Sequence, residues 1–199
     1  MNRKHIALAV IGALAVGALP ISASQFCDTA LLVIDMQTIY LSHAVLVNAD
    51  GLPILPKVAA AIDAARSAGV PVIYAKNLDA RVPEDDEELD FPELIAPVDG
   101  DIVVTKRDPD PFKETVLESI LDARGVTRLV VCGVWSTCCV KDAILAAVRL
   151  GIDVVVVADA HGDSVLRISE IGDLNGTWNA MDGVKAARLE EIAFGSLCR

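Results

Sequence analysis

The sequence predicts an α/β fold: a three-layer α/β/α sandwich in which a mainly parallel sheet is covered by helices on both faces. Three observations carry that prediction. Short apolar runs alternate along the chain with longer stretches whose apolar residues recur at helical spacing, the order expected of βα units. The excess of Val, Ile, Leu and Ala fits strands buried on both faces. The composition, 53% hydrophobic with only 4% aromatic over 199 residues, suits one domain with an aliphatic core, and no internal repeat suggests an array.

The elements follow in order. A first strand over 29–34 stops at Asp35. A helix over 55–68 comes next: Pro56 suits its first turn, Leu55, Val58, Ile62 and Ala65 recur at helical spacing, and Gly69 supplies the C-terminal cap. A strand over 70–75, a strand over 102–105 and a helix over 112–123 succeed it. Then come a strand over 127–132, a helix over 138–150 ended by Gly151, a strand over 153–158, a helix across 174–181 and a last strand near 184–188. Right-handed crossovers between parallel strands put helices on both faces. Residues 77–100 break the alternation. They carry Asp85, Asp86, Glu87, Glu88 and Asp90 with three prolines, and read as a long solvated loop placed by the preceding strand at the rim of a crevice.

Residues 1–24 stand apart. Arg3 and Lys4 precede an uncharged run over 6–19, then Pro20 and the small residues ISAS, the layout of a secretory signal peptide cleaved near Ala23 or Ser24. The run is short for a retained membrane anchor, which needs about 20 apolar residues. The expected division is a signal peptide over 1–24 and one domain over 25–199, exported to a periplasm or secreted. The formal charge of −11 argues against nucleic acid and anionic membrane as partners. In an oxidising compartment Cys27, ahead of the first strand, and Cys198, the penultimate residue, are free to form a disulfide; the alternative is two unpaired surface thiols.

Candidate chemistry collects at strand ends. In an open parallel sheet, ligands bind beyond the carboxyl ends of the strands. Asp35, Lys106 and the adjacent Cys138 and Cys139 would therefore converge on one crevice. A thiol at a helix N-terminus feels the positive end of the peptide dipoles, which favours its thiolate, and the same NH groups can hold an oxyanion. Singly, an aspartate after a strand is a turn residue and a loop lysine is solvated. Together, an acid, a base and a thiol point to covalent catalysis.

LLVIDMQ, a lysine after a later strand, and VVCGVWSTCCVKDAILAAVRLGIDVVVVADA resemble the isochorismatase-like cysteine hydrolases, which include nicotinamidases, N-carbamoylsarcosine amidases, maleamate and ureidoacrylate amidases, and isochorismatase itself. The resemblance covers residues 28–197. Its most specific piece is a glycine, five residues, then cysteine and valine, ahead of a helix and a strand ending in Asp-Ala: here Gly133, Cys139, Val140, Asp159 and Ala160. It implies a Rossmann-like sheet of six strands. It also implies that Cys139 is the nucleophile, Asp35 the base that takes its proton, and Lys106 the cation that stabilises the anionic side chains; Cys138, one place early, is a packed neighbour. A thioester intermediate, an oxyanion hole from the backbone NH groups of Trp135 and Cys139, a cis Val134–Trp135 bond and a homo-oligomer follow from the same resemblance. Among substrate-side residues, Gln37 is expected to support the first-strand loop, Phe112 to line the site, and Trp135 to form a wall for a flat substrate. His161 is either a supporting group or merely exposed. The Asp-x-His motif and further histidines that nicotinamidases carry after the second strand are missing there, and His5, His43 and His161, the only histidines, assemble no zinc or iron site, so no cofactor is expected. The expected activity is metal-independent hydrolysis of a C–N bond in a small amide or ureide. A vinyl ether hydrolase of the isochorismatase type, or a non-catalytic binding module on the same fold, is the alternative.

Overall fold

A computed structural model describes residues 28–194; the expected signal peptide and the expected Cys27–Cys198 disulfide lie outside the described residues. Seven strands form one sheet: β1 (Thr29–Ile34), β2 (Leu46–Val47), β3 (Val72–Asn77), β4 (Ile102–Lys106), β5 (Arg128–Val134), β6 (Asp153–Ser164) and β7 (Val184–Ala187). The order is β2-β6-β5-β1-β3-β4, with β7 also on β6. Every pairing is parallel except that of β2, whose two residues run antiparallel to Ser164 and Asp163. The six expected parallel strands are present, and β2 is an addition. The 12-residue β6 holds three neighbours because β7 pairs with its first half and β2 with its last residues.

Helices α1 (Thr38–His43), α2 (Leu55–Ser67), α3 (Leu117–Arg124), α4 (Lys141–Arg149) and α5 (Ile168–Asn179) cover the sheet, and β1 shows why its sequence is apolar throughout. Leu31 and Val33 face one core with Val58, Ile62 and Ala65 of α2. Ala30, Leu32 and Ile34 face the other, with Leu117 and Leu121 of α3, Ile144 and Ala147 of α4 and Trp178 of α5. Side chains alternate between faces, and both faces are covered. Each large aliphatic side chain buried this way contributes about 1.5–3 kcal/mol relative to exposure.

Several boundaries differ from expectation for local reasons. The helix expected over 112–123 begins only at Leu117, because the carboxylates of Asp108 and Asp110 accept hydrogen bonds from the backbone NH groups of Asp110 and Phe112 and hold that stretch in turns. The helix expected from 138 opens with a single π-turn, Ser136–Val140, before α4. The strand expected over 153–158 continues through polar residues to Ser164, since Gly133 and Val134 pair with His161 and Gly162 beyond a register shift. The acidic loop is anchored: two 3₁₀ turns, Glu87–Leu89 and Glu93–Ile95, sink Leu89 and Ile95 into the core, and Phe91 packs on Tyr74 at 4.9 Å. Most of its charged side chains face water, as do Leu94 and Val98.

Candidate active site

The crevice lies where β1, β4 and β5 end. Asp35 follows β1 in a left-handed conformation, φ 51°, that turns the chain out of the sheet. Lys106 is the last residue of β4. β5 ends at Val134, the Val134–Trp135 peptide is cis, and the π-turn then delivers Cys139. Gly133 is required for this approach: its φ is +114°, and a Cβ there would stand 2.2 Å from the carbonyl oxygen of Ile34.

Asp35, Lys106 and Cys139 come together as expected. Lys106 Nζ lies 2.9 Å from Asp35 Oδ2, and each side chain is only 1% exposed. The ammonium also donates to the Asp108 carbonyl at 3.2 Å. Cys139 is buried and interacts through its thiol with both charged groups. Asp35 Oδ1 is buried with no hydrogen-bond partner of ordinary geometry, an open acceptor in the resting site.

The electrostatics correct one expectation. Rather than lowering the thiol's pKa, the site raises it, through burial and then the negative charge of Asp35, with Lys106 opposing. Burial also lifts Asp35 above the ordinary aspartate value, again opposed by Lys106. The dipole argument supposed an α-helix starting at the cysteine, whereas a π-turn intervenes. The resting state is a neutral thiol beside a carboxylate whose affinity for a proton is enhanced.

Around this centre the expected residues divide. Trp135 is half-buried, packs against both cores and meets Tyr40 edge to face at 6.0 Å. Phe112 is half-buried in the loop between β4 and α3 and packs on the cluster that contains Cys139. Gln37 is not substrate-facing: fully buried, it donates Nε2 to the carbonyls of Asn77 and Leu89, both at 2.9 Å, and accepts from the Asn77 NH at 2.7 Å. Its amide is spent bracing β3 and the acidic loop against the turn after β1. Asp159 also points away from the crevice, to Lys57 at 2.7 Å and the Leu189 NH at 2.8 Å.

Four residues that sequence reasoning passed over stand near the site: Tyr40, whose hydroxyl accepts from Asn77 Nδ2 at 2.5 Å, and Ser136, Asp163 and Asn175. Ser136 and Asn175 bracket His161. Ser136 Oγ is 2.9 Å from His161 Nδ1, and His161 Nε2 is 2.9 Å from Asn175 Oδ1. Burial pushes His161 down to about 4, so the ring is neutral and buried, not exposed. The signal available was alternation: His161 and Asp163 sit two apart, as strand residues sharing a face do. Among the described residues, no group of three or more His, Cys, Asp or Glu side chains is placed to hold a metal ion.

The family model of the isochorismatase domain matches residues 29–168. A streptothricin hydrolase from Streptomyces noursei is 38% identical over 135 residues, 66% of this chain and 49% of that protein, so the chain spans about half the length of that relative. A ureidoacrylate amidohydrolase from Stutzerimonas stutzeri is 30% identical over 176 residues, 69% of this chain and 71% of the relative. The crystal structure of a cysteine hydrolase from Pseudomonas syringae superposes with a TM-score of 0.74 at 21% identity, covering 86% of this chain and 94% of that one, a likeness of fold.

Proposed function

The chain belongs to the isochorismatase family and is a hydrolase, and we propose that it cleaves the C–N bond of a small amide or ureide through a thioester on Cys139, without a metal. The observation that carries this reading is the buried Asp35–Lys106 pair, with one carboxylate oxygen unpartnered beside a buried thiol. As the sulfur attacks the carbonyl carbon, its proton passes to Asp35. The oxyanion is held by the backbone NH groups of Trp135 and Cys139. Asp35 then gives its proton to the departing nitrogen, the C–N bond breaks and the thioester remains. Water that loses its proton to Asp35 attacks the thioester, and the carboxylic acid leaves as the thiol is restored. Lys106 keeps Asp35 anionic between these transfers. Trp135 and Phe112 wall the substrate. An amidohydrolase among the relatives supports the choice of bond, and the scarcity of histidines supports metal independence. We further propose that the enzyme is exported, on the strength of its first 24 residues. The test is ammonia release from a panel of amides and ureides: activity carried by wild type and lost in Cys139→Ala is expected, and equal activity in the two refutes the reading.

A further inference from the structure

We infer that His161 and Asp163, two positions apart on β6, clamp the turn that carries Cys139 and act as positioning residues for the nucleophile. Ser136 and Thr137 lead into Cys139, and each is tied to a different one of the pair. Ser136 Oγ meets His161 Nδ1 at 2.9 Å. Asp163 Oδ2 accepts both the Thr137 NH, at 3.1 Å, and the Thr137 hydroxyl, at 2.7 Å.

The direction of the bonds on His161 is determined by its neighbours. Asn175 donates Nδ2 to the Ala158 carbonyl at 3.3 Å, which turns its Oδ1 toward the ring. His161 must therefore donate from Nε2 to Asn175, leaving Nδ1 to accept the Ser136 proton. Trp178 packs edge-on against the ring at 4.9 Å, and the ring is fully buried. The second arm is equally constrained, since Asp163 Oδ1 accepts the Ser164 NH at 2.8 Å. Between the arms, Gly162 has no room for a side chain: a Cβ would lie 2.5 Å from the Val47 carbonyl oxygen and 2.6 Å from Ile54 Cγ2. β2 thus presses the clamp into place.

The clamp adds a connection that the bonds closing the turn do not make. The carbonyl of Trp135 takes the NH groups of Cys138, at 3.0 Å, and Val140, at 3.1 Å; these bonds join the turn to itself but not to the sheet. The side chains of Ser136 and Thr137 make that second connection. A displacement of about 1 Å at a reacting atom can cost roughly 10²-fold in rate, so the clamp acts on turnover rather than on binding.

This inference rests on the proposed role of Cys139, and the experiment separates the two. Hydrolysis of p-nitrophenyl acetate, an activated ester that acylates thiols, is measured with the full chain and with Cys139→Ala, Ser136→Ala, Asp163→Ala, Ser136→Thr and Asp163→Asn. The clamp predicts that Ser136→Ala and Asp163→Ala lose at least tenfold in kcat with KM within threefold, that iodoacetamide alkylates Cys139 correspondingly more slowly, and that Ser136→Thr restores kcat. If Cys139→Ala is as active as wild type, the assignment of the nucleophile fails. If Cys139→Ala is inactive while cooperatively folded Ser136→Ala and Asp163→Ala keep kcat within threefold, or lose activity through KM alone, the clamp fails. Should the alanine variants not fold, Asp163→Asn decides: a kcat loss of threefold or more at constant KM supports the clamp, and wild-type kcat overturns it.

Discussion

Two buried polar clusters flank the turn that carries Cys139, and they are built on opposite plans. On the β1 and β4 side, Asp35 and Lys106 are charged, and Asp35 Oδ1 has no hydrogen-bond partner. On the β6 side, His161 is neutral and both ring nitrogens are engaged. An incompletely satisfied buried group is costly to a fold. The first cluster therefore retains an acceptor open to a proton, and the second holds none open near neutral pH. The proposed function assigns the chemistry to the cluster with the open acceptor, and the proposed clamp assigns placement to the closed one.

The comparison breaks most readily at the thiol. Cys139→Ala removes the proposed nucleophile, and turnover on any substrate found should fall by roughly 10³-fold or more, read from initial rates of ammonia release. Next in size is the ion pair. Asp35→Asn leaves a buried ammonium and Lys106→Met a buried carboxylate, so each should cost about 3–5 kcal/mol. The double variant should cost much less than the sum, because it leaves no buried charge. Urea unfolding midpoints check this, and additive losses would mean that the two charges are independently solvated. In enzymes that retain turnover, the acid limb of kcat/KM should lie above the ordinary aspartate range, since burial raises Asp35.

The two clusters were not equally legible in the sequence. Asp35, Lys106 and Cys139 each follow an apolar run that ends abruptly, and in a parallel sheet such ends converge. His161 and Asp163 follow an apolar run too, but the strand does not end there. It is extended by pairing with Gly133 and Val134 across a register shift and with the two residues of β2, a strand too short to show periodicity. The late start of α3 was hidden similarly, because Asp108 and Asp110 capture backbone NH groups that a propensity argument assigns to a helix. The direction of the thiol's shift depended first on its burial and then on how close Asp35 stands to it, both of which only the tertiary structure specifies.

The closed cluster has its own signature in pH. His161 is held neutral by burial, with the hydrogen bond to Asn175 of α5 and then Asp159 and Asp163 on its own strand pulling the other way, while Trp178 of α5 packs uncharged against the ring. Its folded pKa, about 4, lies below the ordinary 6.5, so between those values the unfolded chain binds the proton and the native protein does not. Stability is then unaffected above about pH 6.5 and lost as pH falls toward 4, by up to about 3 kcal/mol. Denaturant titrations at stepped pH should show this slope, and it should be reduced in His161→Gln; a slope unchanged in that variant would assign it to carboxylates elsewhere.

The smallest expected effect concerns the neighbour of the nucleophile. Cys138 Sγ lies 4.0 Å from Cys139 Sγ, close enough to be confused with it in any labelling experiment. Yet Cys138 is half-buried against the core of α3 and α4, and neither Asp35 nor Lys106 engages its sulfur in the interactions that define the site. A thiol without a base beside it packs as a small apolar side chain. Cys138→Ala should therefore keep kcat within about threefold and cost roughly 1 kcal/mol or less, as for a small group removed from a partly exposed position. Peptide mapping after reaction with an electrophilic substrate analogue gives the sharper reading: modification at Cys139 is expected, and an adduct found on Cys138 would transfer the nucleophile's role to it and leave the Asp35–Lys106 pair without its partner.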